Sequence, residues 1–264
     1  MAATLLRQNS ELRRIRVWNW TIPAGPVTLD DGRRVNACPN ADGCLALCYA
    51  RVNSYAFSNV RGAHLRNLAR ILDDLDGWSD EMISELAHPR HRPSGDPRLD
   101  VLDTIDPADE WAIEWAEAGG SAVRIHDAGD FLSDGYVEAW LRIARVTPDV
   151  LFYAYTKEVS RFRRLVEGQA PPNFRWLFSL GGKEDHLLDL DVDRHAEVFA
   201  TDDDLSAADY TDQESSDLLA VLAPTLRIGI VSNNVPHLRR QMGGQSFGEI
   251  QRRRDERRTT GPRP

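Results

Sequence analysis

A chain of 264 residues, 42% hydrophobic, 28% charged and with a formal charge of −9, has the composition of a globular protein with one sizeable core or two small domains. No apolar run approaches the roughly 18 to 20 residues of a membrane span, and the N-terminal MAATLLRQNSELRRIRVWNW lacks the basic head and apolar block of a secretory signal. Gly and Pro follow no short period, which excludes collagen-like and low-complexity chains, so action in the cytoplasm is expected.

Residues 15–36 read as an opening hairpin. Trp18 and Trp20 are followed by Pro23, Gly25 and Pro26, and then VTLDDGRRV alternates around an Asp-Gly turn. Next comes ACPNADGCLALCYA, which holds all three cysteines of the chain: Cys38, Cys44 and Cys48. An odd number in an acidic chain without a signal argues against a disulfide framework. Three close thiolates suit a soft metal or an iron–sulfur cluster. Pro39, Asn40, Asp42 and Gly43 form a tight loop, with Gly43 free to take a positive φ before Cys44. Cys44 and Cys48 are four apart, so a helical turn there would put both sulfurs on one face. Buried structural cysteines are the plain alternative. Zinc is another, with His64, His126 or Asp130 as the missing fourth ligand, and such a zinc could activate a water. A [4Fe–4S] cluster on three thiolates leaves one iron open to a small molecule.

Residues 55–75 have apolar positions at helical spacing, and a second helix covers about 78–87. HPRHRPSGDPRLD, from His88, is a loop rich in Pro, Gly and Arg. From about residue 105 helices and strands alternate. Helix 107–118 precedes SAVRIHDAGD, helix 134–146 precedes VLFYAYTK, and helix 158–167 precedes FRWLFSLGG; EVFATDD and LRIGIVSNN follow. This pattern implies parallel βαβ units. Each strand ends in polar or small residues: His126, Asp127, Gly129 and Asp130; Tyr155, Thr156 and Lys157; Ser179, Gly181, Gly182 and Lys183; Thr201 and Asp202; Ser232, Asn233 and Asn234. Parallel sheets and barrels place their sites at those ends, although any βα loop is polar. Lys157 and Lys183 are the only lysines among 32 basic residues. The arginine bias fits a GC-rich genome, and two ammonium groups kept at strand ends stand out against it.

Residues 189–217 carry eleven acids against Arg194 alone and read as a solvated, inserted helical segment. The chain divides into one domain over 1–245 and an Arg-rich tail over 246–264. The tail could meet nucleic-acid phosphates, but Glu249, Asp255 and Glu256 interleave with its arginines and favour an exposed helix with ion pairs. Gly-x-Ser-x-Gly, Walker and Rossmann fingerprints are missing.

WNWTIPA, ACPNADGCLALCYAR, VRIHDAGDFLS and FYAYTK together resemble the gene-product-88-like family of bacteriophage proteins over roughly residues 15–235. The resemblance implies a presumed iron–sulfur protein in the cytoplasm of an infected bacterial host. A wider likeness is to radical S-adenosylmethionine (SAM) enzymes, in which three cysteines of a loop hold a [4Fe–4S] cluster above a partial (β/α) barrel and SAM chelates the open iron. Those cysteines are commonly separated by three and then two residues; here the gaps are five and three. The implied fold is α/β: a partial (β/α) barrel of parallel strands with an N-terminal hairpin and cysteine loop. The expected metal ligands are Cys38, Cys44 and Cys48. Asp127, Gly129 and Asp130 would face the cofactor, with Gly129 giving close approach and Asp130 meeting an ammonium. Lys157 and Ser179 would line the same mouth, and Asn233 would close it. The enzyme reading sets SAM radical chemistry on an unknown substrate; the alternative is a non-catalytic iron–sulfur or zinc protein acting on a host or phage partner.

Overall fold

The computed structural model describes residues 4–213, 216–232 and 236–260. After a short helix α1 (Ser10–Arg14), strand β1 (Val17–Trp20) leads to the hairpin β2 (Pro26–Thr28) and β3 (Arg34–Asn36). Helix α2 (Gly43–Ala46) lies in the cysteine loop, and α3 (Ser58–Asp73), α4 (Leu75–Leu86) and α5 (Glu110–Glu117) follow. Then come β4 (Ser121–Ile125), α6 (Asp134–Val146), β5 (Val150–Thr156), α7 (Val159–Leu165) and β6 (Phe174–Ser179). The chain continues through β7 (His195–Phe199), α8 (Asp202–Ala207), β8 (Thr211–Asp212), α9 (Leu219–Leu222) and β9 (Arg227–Val231). It ends with α10 (Pro236–Met242) and α11 (Phe247–Thr260).

Seven strands form one parallel sheet in the order β1-β4-β5-β6-β7-β9-β8, and β2 and β3 make a separate antiparallel pair. The expected alternation thus becomes an α/β fold of parallel strands. Two details differ. The opening hairpin is confined to β2 and β3; the aromatic segment before it is β1, paired parallel with β4 through Val17↔Ala122 and Trp20↔Ile125. Val17 and Trp20 are both fully buried, so this strand needs a covered sheet, and Pro23, Gly25 and Pro26 keep it from folding back on its neighbour. The acidic stretch 189–217 contributes β7 and β8 to the sheet as well as helix α8.

Strand β5 shows why the sheet is central. Its first five residues, Val150–Ala154, are buried, as a parallel strand covered on both faces requires. On one face Ile125, Phe152 and Phe174 meet an aromatic slab of Trp78, Tyr136, Trp140 and Phe162 from α4, α6 and α7. On the other, Ala122, Leu151, Tyr153, Leu177 and Ile228 pack with Trp115 of α5 and Leu218–Leu222 around α9. This second face is concave. Arg124 of β4, near one edge, pairs at 3.2 Å with Asp217, which follows β8 at the other edge. Among the described residues no helix is long and apolar enough to cross a membrane.

Candidate functional site at the cysteine loop

The carboxyl ends of the strands open into a cavity of about 380 Å³. Cys38, Cys44 and Cys48 all line it, with Asp127, Gly129, Asp130, Lys157 and Ser179. The strand-end residues and the loop thiols therefore share one space, although they come from distant parts of the sequence. Asn233 lies outside the described residues. His64 lies on α3 and lines a different pocket, with its ring 5.9 Å from that of Tyr55, whereas His126 lines the cavity.

The loop is tied to the strand ends by its backbone. Ala37 O accepts from Asp130 N at 2.8 Å, Gly181 O accepts from Cys44 N at 3.1 Å, and Gly25 N donates to Cys38 Sγ at 3.2 Å. Gly181 has φ +100°, and a Cβ there would stand 3.1 Å from Cys44 Cβ, so only glycine lets the loop settle on β6. Gly129 is equally constrained: φ is +89° and a Cβ would lie 2.3 Å from Ile22 Cγ1. Gly43, by contrast, does not use a positive φ. It is needed for closeness, because its N–H donates to Gln251 Oε1 at 2.8 Å and a Cβ would sit 3.0 Å from that oxygen. The helical face expected for Cys44 and Cys48 does not form. Helix α2 stops at Ala46, the N–H of Leu47 returns to Cys44 O, and Cys48 stands beyond it with extended backbone. Leu47 is drawn instead into a small apolar cluster with Leu238, Met242 and Phe247.

Burial pushes all three thiols up; for Cys44 and Cys48 the Lys157 ammonium pulls the other way. Lys157 Nζ donates to Ser179 O at 3.0 Å and to its Oγ at 2.6 Å. Lys183 Nζ donates to Pro39 O, so both lysines of the chain serve the cysteine loop or its cavity. Asp130 is raised by burial and accepts from Phe131 N, Thr156 Oγ1 and Lys157 N. Three of its four lone-pair sites are thereby used, and one remains on Oδ2. Among the described residues no group of three His, Cys, Asp or Glu is set to hold a single metal ion.

The Arg-rich segment set apart as a tail from residue 246 lies against this loop. Gln251 of α11 accepts from Gly43 and donates to Asp42 at 3.1 Å, and Arg254 and Arg258 pair with the same carboxylate at 3.0 and 2.7 Å. Asp42 is only 8% exposed.

The far wall was less visible in the sequence. Arg124 lies 3.2 Å from Asp217 and 3.9 Å from Asp127, with its guanidinium carbon 5.3 Å above the Tyr155 ring. Burial opposes its charge, yet Asp217 and Asp127 hold it well above the ordinary arginine value. Tyr49 donates to Asp127 O at 2.6 Å, Tyr55 donates to the Asp127 carboxylate, and Tyr153 donates to Asp217 at 2.5 Å. The signal for this wall was an arginine inside the otherwise apolar strand SAVRI.

A partly closed parallel sheet with a thiol-bearing loop over its strand ends defines an α/β protein with an elaborated mouth at the carboxyl edge of the sheet. The chain belongs to the gene product 88 family of bacteriophage proteins, which it matches over residues 3–260. It is 40% identical over 63 residues to the gene 88 protein of Mycobacterium phage L5, a stretch covering 22% of this chain and 26% of that protein. No solved structure matches it.

Proposed function

We propose that the chain binds a [4Fe–4S] cluster through Cys38, Cys44 and Cys48 and acts as a radical-SAM-like enzyme in the cytoplasm of the infected host. The observation that carries this reading is the meeting of three thiols from one short loop with polar strand ends around a single cavity. The donor set fits the group: three soft ligands face one space, the backbone beneath them lacks a Cβ at Gly181, and Lys157 supplies a nearby positive charge. A single zinc is a poorer fit, because no three-donor group suited to one ion occurs among the described residues. When bound, such a cluster supplies one-electron chemistry at an open iron. The chain's own part is to bind and orient. Gly129 lets the strand-end turn settle on Ile22 beside the cavity, the remaining lone pair of Asp130 accepts from an ammonium, and Lys157 and Ser179 fix the polar rim.

A second reading, a non-catalytic cluster protein acting on a host or phage partner, draws on the five-and-three cysteine spacing and on α11, whose remaining arginines could meet a partner's phosphates. Iron, sulfide and zinc analysis of anaerobically purified protein, with visible spectra before and after SAM, separates these. About four irons and four sulfides with a SAM-perturbed spectrum support the enzyme. The same iron without a response to SAM supports the binding protein, and one zinc without sulfide ends both.

A further inference from the structure

A second recess, of about 430 Å³, lies between α3, the end of β1 and the segment 4–7. Its α3 wall is Ala63, Arg66, Asn67 and Arg70, spaced i, i+3, i+4 and i+7 so that they share one helix face. The other wall is held by backbone. Arg7 and Asn19 exchange N–H···O bonds of 3.0 and 2.8 Å, and Glu85 accepts from the N–H groups of Leu5 and Leu6 while pairing with Arg90. Arg7 thereby brings a third guanidinium to a recess that α3 supplies with two. All three arginines are exposed, and no Asp or Glu lines the recess among the described residues. Arg7 and Arg66 have no carboxylate partner among those residues; Arg70 has Glu81, an exposed acid outside the recess, at 3.0 Å. In a chain of 41 acidic against 32 basic residues, this is a local reversal of charge. Arg66 and Arg70 are four apart, an arrangement that repels on a bare helix and is relieved when an anion lies against both.

The spacing of the charges and the rings beside them narrow the anion. Four residues of helix put Arg66 and Arg70 about 6 Å apart along the axis, close to the separation of neighbouring phosphates on a nucleic-acid strand. His64 lines the same recess, and burial pushes it down, so at neutral pH it offers a ring and no charge. From it a file of rings runs to the thiol cavity. His64 and Tyr55 have centroids 5.9 Å apart, Tyr55 and Tyr49 5.6 Å, and Tyr49 lines the cavity while 40% exposed. Phe57, two residues after Tyr55 and directly before α3, adds a ring that is 62% exposed. Guanidinium groups that track a backbone and rings on which bases stack are the two parts of a single-strand site. An acidic peptide would use the charges and leave the rings idle, and a duplex keeps its bases stacked on one another.

We propose that this recess binds the phosphate backbone of a single-stranded nucleic acid, with bases lying along the rings that lead to the thiol cavity. The surface is built from other elements than the basic face of α11, and it stands whether or not the thiols hold iron. Fluorescence-anisotropy titration of the full chain with a labelled oligothymidylate of about ten nucleotides tests it. Its duplex with oligoadenylate, polyphosphate and polyglutamate serve as unlabelled competitors. The single strand should bind most tightly, and log K should fall against log salt with a slope of about −2, roughly −0.7 for each of three phosphate contacts. Arg66→Gln with Arg70→Gln should weaken binding about tenfold and flatten the slope by about 1.4, with the fold checked by circular dichroism. Should that pair not fold, Arg7→Gln carries the comparison, with a slope flatter by about 0.7. Phe57→Ala should weaken binding of the strand and leave that of polyphosphate unchanged. Arg253→Gln with Arg257→Gln, on the outer face of α11, should bind as the wild type does. Iron is measured on the same sample: a preparation that binds the strand without iron would end the cluster reading and leave this one standing. The proposal is overturned if the strand does not bind at low salt, if the folded recess variants or Phe57→Ala bind it unchanged, if the α11 pair abolishes binding, or if any competitor binds as tightly as the strand.

Discussion

The convex face and the mouth of the same sheet are built on opposite terms. Behind the sheet, Trp78 touches Trp20, Tyr136 and Trp140 with ring centroids 5.2–5.4 Å apart, and the space is filled by carbon. Among the described residues the indole N–H of Trp78 has no conventional partner, and it sits among aromatic faces that accept weakly. At the mouth, Arg124 lies over the Tyr155 ring between Asp217 and Asp127, and charged, polar and apolar side chains together border an open cavity. The contrast teaches that one β4 segment serves both purposes. Val123 and Ile125 join the aromatic slab, Arg124 lines the cavity, and His126 just beyond the strand touches both, lining the cavity while bonding Tyr136 of the slab at 2.9 Å.

The sharpest break between the two regions sets Trp78→Ala against Cys44→Ala. Removing the indole should cost about 3–5 kcal/mol in urea unfolding, with iron per folded chain unchanged. Removing the thiol should abolish bound iron and lower the melting temperature only to the extent that the metal contributes to folding. Iron retained by Cys44→Ala would sink the ligand assignment.

Next in size is the clasp on Asp42. Burial pushes this carboxyl up, but hydrogen bonds from Gln251 and Arg258 and the charges of Arg254 and Arg258 outweigh burial and hold it below the ordinary carboxylate range. Its contribution is therefore present above about pH 4 and lost as the pH falls through the lowered value. Asp42→Ala should cost about 1–3 kcal/mol and speed amide exchange in α11 at neutral pH. Exchange unchanged from wild type would show that apolar contacts alone hold the helix.

Acid should also act through buried histidines. His126 is pushed down to about 3 and His91 to about 4, both chiefly by burial, so each stays neutral when folded and gains a proton once unfolded. Stability should be full above about pH 6.5 and decline as the pH drops toward those values, and His126→Phe should flatten the decline in urea titrations. The smallest effect belongs to the exposed pair Arg70–Glu81, where Glu81→Ala should change stability by less than about 1 kcal/mol.

Local pattern made much of this fold readable. Helix Asp134–Val146 follows from its apolar spacing and its Ser133 cap, and β4, β5 and β6 from runs of apolar residues between helices. The meeting of Cys38, Cys44 and Cys48 with Asp127, Asp130 and Lys157 at one mouth was legible because parallel strands gather their ends. Other features depend on partners far away in sequence. Nothing near VWNW tells it to pair with β4, and nothing near Asp42 announces Gln251, Arg254 and Arg258. Gly43 illustrates the point: its type is required, but by the approach of α11 and not by a turn. Arg124 was visible only as an interruption of an apolar strand, and its meaning appears when Asp217 closes over it.

The grip of α11 on the cysteine loop also has a consequence in time. Gly43 and Asp42 leave the ribosome more than two hundred residues before their partners, which are 208 to 216 positions later in the chain. At about 5–20 residues per second, the loop waits on the order of 10–40 s for its cover during synthesis. The chain's last helix thus sets the earliest moment at which its first third is sealed.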